Sequence, residues 1–335
     1  LLNDLMASRA IQPGRGTKGL SILVGSVGPD VYRPEAPHEV TLIVDPGGDD
    51  RYDFSALAPG AVLIVVDHAG ADTYAGGGGI LSLLVVVDHA GNDRWGDDGP
   101  GPAAAFGGDA AIADLQGDDF YNASYFGQAA AVLGRAVLFD AAGDDRYQLH
   151  GLGQGFAATA AAAVLLDSDG DDHYTADGAD DVFNRGGRVS KAQGVGFGSR
   201  QGVAGGFGAL VDLAGDDIYE AEMFAQGHGF FFGVGLLADR SGNDRYDAVR
   251  YAQGAAAHVG IGLLFDETGN DAYDAGVGIS QGMGLDRSIG LLRDGAGDDR
   301  YRGGSLAQGA STANGLGVLA DTGGTDHFSL ADSGW

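Results

Sequence analysis

The chain has 335 residues, 47 of them acidic and 19 basic, a formal charge of -28 and no cysteine. That balance argues against nucleic acid and anionic membranes as partners and toward cations or basic ones, and it leaves no disulfide or thiolate-held metal. No run of 18 apolar residues occurs: the longest candidate, residues 156–166, is alanine-rich and ends at Asp167, so no membrane-spanning helix is expected.

Residues 1–18 carry no repeat, and Leu1, Leu2, Leu5 and Met6 read as a short amphipathic N-terminal cap. The missing initial methionine and leader read as a signal already removed, or as a fragment. From 19 to 335 one unit recurs. Its clearest copy, Leu264-Phe265-Asp266-Glu267-Thr268-Gly269-Asn270-Asp271-Ala272-Tyr273, defines the pattern aliphatic-x-Asp-x-x-Gly-[Asp/Asn]-Asp-x-Tyr. The first aspartate falls at Asp45, Asp67, Asp88, Asp114, Asp140, Asp167, Asp212, Asp239, Asp266, Asp294 and Asp321. The sixth-position aspartate falls at Asp50, Asp72, Asp93, Asp119, Asp145, Asp172, Asp217, Asp244, Asp271, Asp299 and Asp326. A degenerate copy precedes them, with Gly25 in place of the first aspartate and Gly28, Asp30 and Tyr32 kept.

Successive first aspartates are 22, 21, 26, 26 and 27 residues apart up to Asp167, then 45, then 27, 27, 28 and 27. A single period over nearly the whole chain overrides the two domains its length would suggest. A second mark keeps the register: Gln226, Gln253, Gln281 and Gln308 each stand thirteen residues before an aspartate, with Gln128, Gln154 and Gln193 earlier. Two fixed marks per unit imply at least two fixed corners. Between them lie short segments rich in Gly, Ala, Val, Leu and Tyr, none with a helical period. The expected fold is therefore all-β: a single-domain parallel β-helix of about twelve coils, mostly of about 27 residues, stacked at about 4.8 Å into a rod about 55 Å long. A leucine-rich solenoid would need a helix in each unit, and an immunoglobulin-like array would need a larger one.

Two positions before each first aspartate sits an aliphatic residue, from Ile43 to Leu319, and seven after it an aromatic, tyrosine except at Trp95 and Phe328. Both columns are expected to face inward. The residues one and three before the aspartate, such as Val44, Val66, Phe139 and Phe265 with Leu42, Ile64 and Leu263, should then face out, yet they are apolar. A strand apolar on both faces is usually covered on both, and a column of them makes a patch larger than monomers normally expose. A self-association or partner face is expected, with chain segments folding over it as the alternative.

Of the 42 aspartates, 29 occupy motif positions. Carboxylates stacked about 5 Å apart repel by about 1 kcal/mol per pair in water and by more at a protein surface, so the ladder needs compensation. Calcium, bound by oxygens of aspartates and carbonyls, would supply it, and the two aspartate series are the candidate metal ligands. The competing reading makes them turn-capping residues, screened by Arg51, Arg94, Arg146, Arg245 and Arg300.

The turns Gly242-Asn243-Asp244-Arg245-Tyr246, Gly269-Asn270-Asp271-Ala272-Tyr273 and Gly91-Asn92-Asp93-Arg94-Trp95 resemble the nonapeptide of the RTX calcium-binding β-roll, over about eight residues per coil. They depart from it in having an aspartate where that nonapeptide begins with glycine and in occurring once per coil. The resemblance implies bound calcium and a location outside the cell, where calcium is plentiful.

The coil with the 45-residue spacing is enlarged at 175–202 and brings in Asp180, Asp181, Arg185, Arg188, Lys191, Arg200 and Gln201. Insertions in repeats tend to form binding loops, and Arg185, Arg188, Lys191 and Arg200 are the candidate contacts for an anionic ligand such as an acidic glycan. The glutamine column reads as structural, and the scattered threonines do not suit ice binding. The functional expectation is a secreted or cell-surface acidic β-solenoid, calcium-stabilised, serving a structural, adhesive or assembly role through its apolar face. The alternative is a carbohydrate-active β-helix, a lyase or hydrolase with its site at the enlarged coil; no catalytic pair stands out among the carboxylates.

Overall fold

The computed structural model describes residues 19–34, 40–97, 99–179, 187–200 and 202–331. The expected N-terminal cap at 1–18 lies outside the described residues, as do Asp180, Asp181, Arg185 and Gln201 of the enlarged coil.

No helix occurs among the described residues. The strands form three parallel sheets of twelve, fourteen and nine strands, each strand paired with its counterpart one coil away. The first sheet runs from Leu20–Val24 to Leu316–Asp321, the second from Val31–Tyr32 to His327–Leu330, and the third from Gly78–Ile80 to Ser311–Thr312. The chain is thus the parallel β-helix that the period predicts. The third sheet begins only at Gly78, inside the coil of spacing 21, so the coil of spacing 22 before it closes without a third-sheet strand.

Strand alternation decides what lies inside. Ile43, Val65, Val86, Leu138, Leu165, Leu210, Leu237, Leu264 and Leu292 are buried, and so are the tyrosines that face them. From Tyr121 to Phe328 the rings form one stack, with centroids 4.6–5.0 Å apart and planes within 8°. Such pairs add about 0.5–1.5 kcal/mol each beyond their buried area. The small interplanar angles also show that this rod hardly twists from coil to coil.

The glutamine corner joins the second sheet to the third. Gln128, Gln154, Gln193, Gln226, Gln253 and Gln281 are fully buried with φ between 49° and 63°, the left-handed region. Side-chain bonds hold each of them there. Gln226 Nε2 donates to the carbonyls of Tyr219 in its own coil and Asp247 in the next, both at 3.0 Å. The glutamines do not stack amide on amide, as a simple ladder would; each ties the backbone of two coils together.

In the enlarged coil the extra residues leave at two points, each closed by an antiparallel bridge: Ala179 with Val189, and Ser199 with Val203. Its strands on either side, His173–Ala176 and Phe207–Val211, keep register with their neighbours, and Val189–Ala192 pairs the next coil with a bulge.

Candidate functional site

Each first aspartate ends a first-sheet strand, and each motif tyrosine lies just beyond the corner on the second sheet, so both point into the rod. The expected turn-surface carboxylates are interior ones. From Asp45 through Asp299, all twenty first- and sixth-position aspartates are buried, and only Asp321 and Asp326 of the last coil are partly exposed.

The first aspartate is held by two kinds of donor. In seven coils its Oδ1 accepts an N–H of its own turn, as in Gly47 to Asp45 at 2.9 Å and Ala69 to Asp67 at 3.0 Å, the Asx-turn geometry, whereas at Asp114, Asp167, Asp266 and Asp294 this oxygen is buried without a partner. Its Oδ2 accepts the hydroxyl of the tyrosine one coil earlier, as in Tyr147 to Asp167 at 2.6 Å and Tyr246 to Asp266 at 2.8 Å. Trp95 substitutes by donating its Nε1–H to Asp114 at 2.8 Å. The first coil shows the same logic from the other side. A Cβ on Gly25 would lie 2.0 Å from Asp45 Oδ2 and 2.1 Å from the Tyr32 hydroxyl, so the site of the missing aspartate is already filled.

The sixth aspartate stitches coils together. Its Oδ1 accepts the backbone N–H of the equivalent residue one coil earlier, as in Asp50 to Asp72 and Asp119 to Asp145, both at 2.6 Å. Its Oδ2 has no partner in ten successive coils, at Asp50, Asp72, Asp93, Asp119, Asp145, Asp172, Asp217, Asp244, Asp271 and Asp299.

The two series converge. A sixth aspartate and both aspartates of the following coil bring carboxylate oxygens within 4.8 Å of one another, at Asp30/Asp45/Asp50, Asp50/Asp67/Asp72, Asp72/Asp88/Asp93, Asp93/Asp114/Asp119 and Asp119/Asp140/Asp145, and six further groups meet the same criterion. Asp30 belongs to this array although the sequence argument left it out of the candidate ligands. The degenerate copy at 25–32 was the available signal.

Burial raises the carboxyl groups of Asp145 and Asp217 above the ordinary carboxylate range, and the neighbouring Asp140 and Asp212 add to it. The arginines that the competing reading assigned to screen the ladder do not reach it. Arg51, Arg94, Arg146, Arg245 and Arg300 are exposed on the outer side of the second sheet, where Arg94 covers the Phe120 ring and Arg245 pairs with Asp247. Buried carboxylates without basic partners have two ways to exist: holding protons, or holding a cation. The open Oδ2 atoms and the clustering suit a hard cation with oxygen ligands.

A third column lies at the surface. Asp118, Asp144, Asp171 and Asp216 occupy the fifth motif position in consecutive coils, each accepting the N–H of the next, from Asp144 to Asp118 at 3.2 Å through Asn243 to Asp216 at 2.8 Å.

The enlarged coil separates its basic residues. Arg188 donates its backbone N–H to Glu222 at 3.1 Å, and Glu222 lines a groove of about 280 Å³ with Asp177, Glu220 and Asp247. Lys191 and Arg200 instead each lie over one ring of a stacked aromatic pair: the Lys191 ammonium is 4.2 Å from the Phe197 ring, the Arg200 guanidinium 5.9 Å from Phe230, and the rings 4.6 Å apart. The expectation of one basic cluster is therefore corrected for the described residues. Arg200 also contacts His258 Nε2, whose Nδ1 is 2.8 Å from Asp286.

Compared with protein-family models, curated proteins and solved structures, the chain matches none. The likeness to the RTX nonapeptide thus stays one of the turn motif.

Proposed function

We propose that this protein is a calcium-stabilised acidic β-solenoid with a structural, adhesive or assembly role outside the cell or at its surface. One observation carries the reading: in ten successive coils a buried aspartate leaves Oδ2 without a partner inside a carboxylate cluster. Calcium would be held by the first- and sixth-position aspartates, neutralising the interior charge and locking adjacent coils. Its millimolar abundance outside cells supports the location, and the absence of cysteine is compatible with it. The RTX-like turn supports the same ion.

The test is thermal unfolding of the full chain in EDTA and then in millimolar calcium, with equilibrium dialysis to count bound ions. The expected result is a saturable rise in melting temperature with several ions bound per chain. No bound ion and no shift would overturn the reading and leave the aspartates as proton-sharing pairs.

A second reading is favoured by the groove beside the enlarged coil, where Glu220 and Glu222 stand near Asp177 and Asp247. This is where a carbohydrate-active solenoid would place its acid and base. Chain-length analysis of neutral and acidic polysaccharides, incubated with the protein and with Glu222→Gln, tests it. Cleavage lost in the variant would favour it.

A further inference from the structure

Two residues before each glutamine of the corner stands a residue with φ between 49° and 64°, in the left-handed region: Phe126, Leu152, Lys191, Phe224, Tyr251, Ile279 and Leu306. Six of the seven are aromatic or aliphatic. Lys191 is the exception, and it falls in the enlarged coil. Ala192 pairs with Gly153 on one side and with Ala225 on the other, so Leu152 and Phe224 flank Lys191 in the column. The chain has only two lysines, the other being Lys18.

The surroundings of Lys191 offer little that an ammonium ordinarily seeks. Its nitrogen lies 4.2 Å from the centre of the Phe197 ring, which stacks on Phe230 at 4.6 Å and meets Phe224 edge-on at 5.5 Å. The cluster it borders, Met223, Phe224 and Phe230 with Val189 and Phe197 packed against them, is apolar. Among the described residues no carboxylate pairs with Lys191 and no acceptor bonds to it, in a chain with 47 acidic residues. An ammonium drawn out of water without a counter-ion gives up its proton more readily. Desolvation accordingly holds Lys191 below the ordinary lysine range. The residue is only half-buried, and its nitrogen keeps contact with solvent. A structural role would rest on the ammonium over the Phe197 ring, yet the other coils build the same corner with apolar side chains, so the corner itself does not require a cation.

We propose that Lys191 is the attachment point for an aldehyde bearing a planar, uncharged substituent, held as an imine over the Phe197 ring. Desolvated lysines are the ones that form Schiff bases with carbonyl compounds. The neutral amine attacks the carbonyl carbon and a C–N bond forms. Both amine hydrogens pass to the carbonyl oxygen, which leaves as water, and the C=N bond closes; neither partner is oxidised or reduced. A neutral imine removes the unpaired charge from the apolar shell, and its planar substituent replaces the ammonium–ring contact with a ring-on-ring one. The site stands apart from the aspartate array and does not depend on a bound ion.

The test uses the full chain in millimolar calcium, with pyridoxal as the aldehyde, sodium cyanoborohydride to reduce the imine to a stable amine, and peptide mapping of the product. At pH 7 the adduct is expected on Lys191 well ahead of Lys18. The two lysines should approach equal labelling as pH rises past about 10.4, the ordinary lysine value, where both lose their protons. Lys191→Arg keeps a cation for the Phe197 ring but forms no imine, so it should lose the adduct and keep the melting temperature. Lys191→Met supplies an apolar side chain, as Leu152 and Ile279 do in their coils, and should also keep the fold. No adduct on Lys191, or Lys18 labelled as fast at pH 7, would overturn the proposal. So would a Lys191→Met chain that no longer folds while Lys191→Arg does, because the ammonium–ring contact would then be the reason for the lysine.

Discussion

The hydroxyl of Tyr147 donates to Asp167 Oδ2 across 2.6 Å, although the two residues belong to successive coils and both are fully buried. The contact joins the aromatic stack to the carboxylate array. Equivalent pairs recur along the rod, from Tyr32 with Asp45 to Tyr301 with Asp321.

Removing one such donor should leave a buried carboxyl oxygen unpaired. Tyr147→Phe is expected to destabilise by about 1–3 kcal/mol, read from the midpoint of urea unfolding at unchanged slope. At Trp95, tyrosine should be tolerated better than phenylalanine, because the Asp114 contact requires a donor. Equal losses for the two Trp95 variants would show that ring packing alone matters there.

Stability without metal should depend on pH in an unusual direction. Burial, with like charges beside it, holds Asp145, Asp172, Asp217 and Asp244 well above the ordinary carboxylate range. Their folded pKa values are raised, so their contribution is fully present below the unfolded value near 3.9 and is lost as pH rises toward the folded values. In EDTA the melting temperature should therefore fall between pH 5 and pH 9. Calcium competes with protons for the same oxygens and should reduce or reverse that slope. A melting temperature in EDTA that rises with pH would contradict buried acids.

Restoring the motif at its one missing aspartate should do harm. Consensus substitutions usually stabilise, but Gly25→Asp would drive a side chain into Asp45 and Tyr32. The cost of overpacking is about 1–3 kcal/mol, and a buried acid adds to it. A variant at least as stable as the parent in thermal unfolding would show that the first coil can open to admit it.

The glutamine corner should weaken unevenly along the rod. Gln226→Ala deprives the carbonyls of Tyr219 and Asp247 of their donor and should cost about 2–4 kcal/mol. Gln308→Ala should cost less, because its bonds are 3.5 and 3.1 Å and it is only half-buried. Hydrogen exchange of adjacent amides would locate each loss, and equal effects would argue that the two corners are energetically alike.

Much of the architecture was readable from spacing. A motif every 27 residues sets the coil, and period-two alternation puts Leu264 inside and Phe265 outside, because strand parity is a local property. The candidate ligands were equally visible, as aspartates fixed at the first and sixth positions. Their burial was not. Asp and Gly favour turns, and turns are ordinarily solvated, so the sequence argument took Asp145 for a turn residue near the surface, with calcium as its compensation and screening by Arg146 as the competing reading. In the rod, Asp145 faces in and Arg146 faces out on the same chain.

The sequence by itself thus determined the repeat, the coil register and the residues that form each column, since these follow from local turn chemistry and strand alternation. Tertiary structure alone decided that Tyr147 would meet Asp167 rather than Asp140 of its own motif at bonding distance, that Gln226 would bind a carbonyl 21 residues away, and that Arg188 and Lys191 would part. The physical reason is the stagger between coils: a side chain that reaches across the rod meets the neighbouring turn, and its depth there depends on the cross-section that all three sheets enclose.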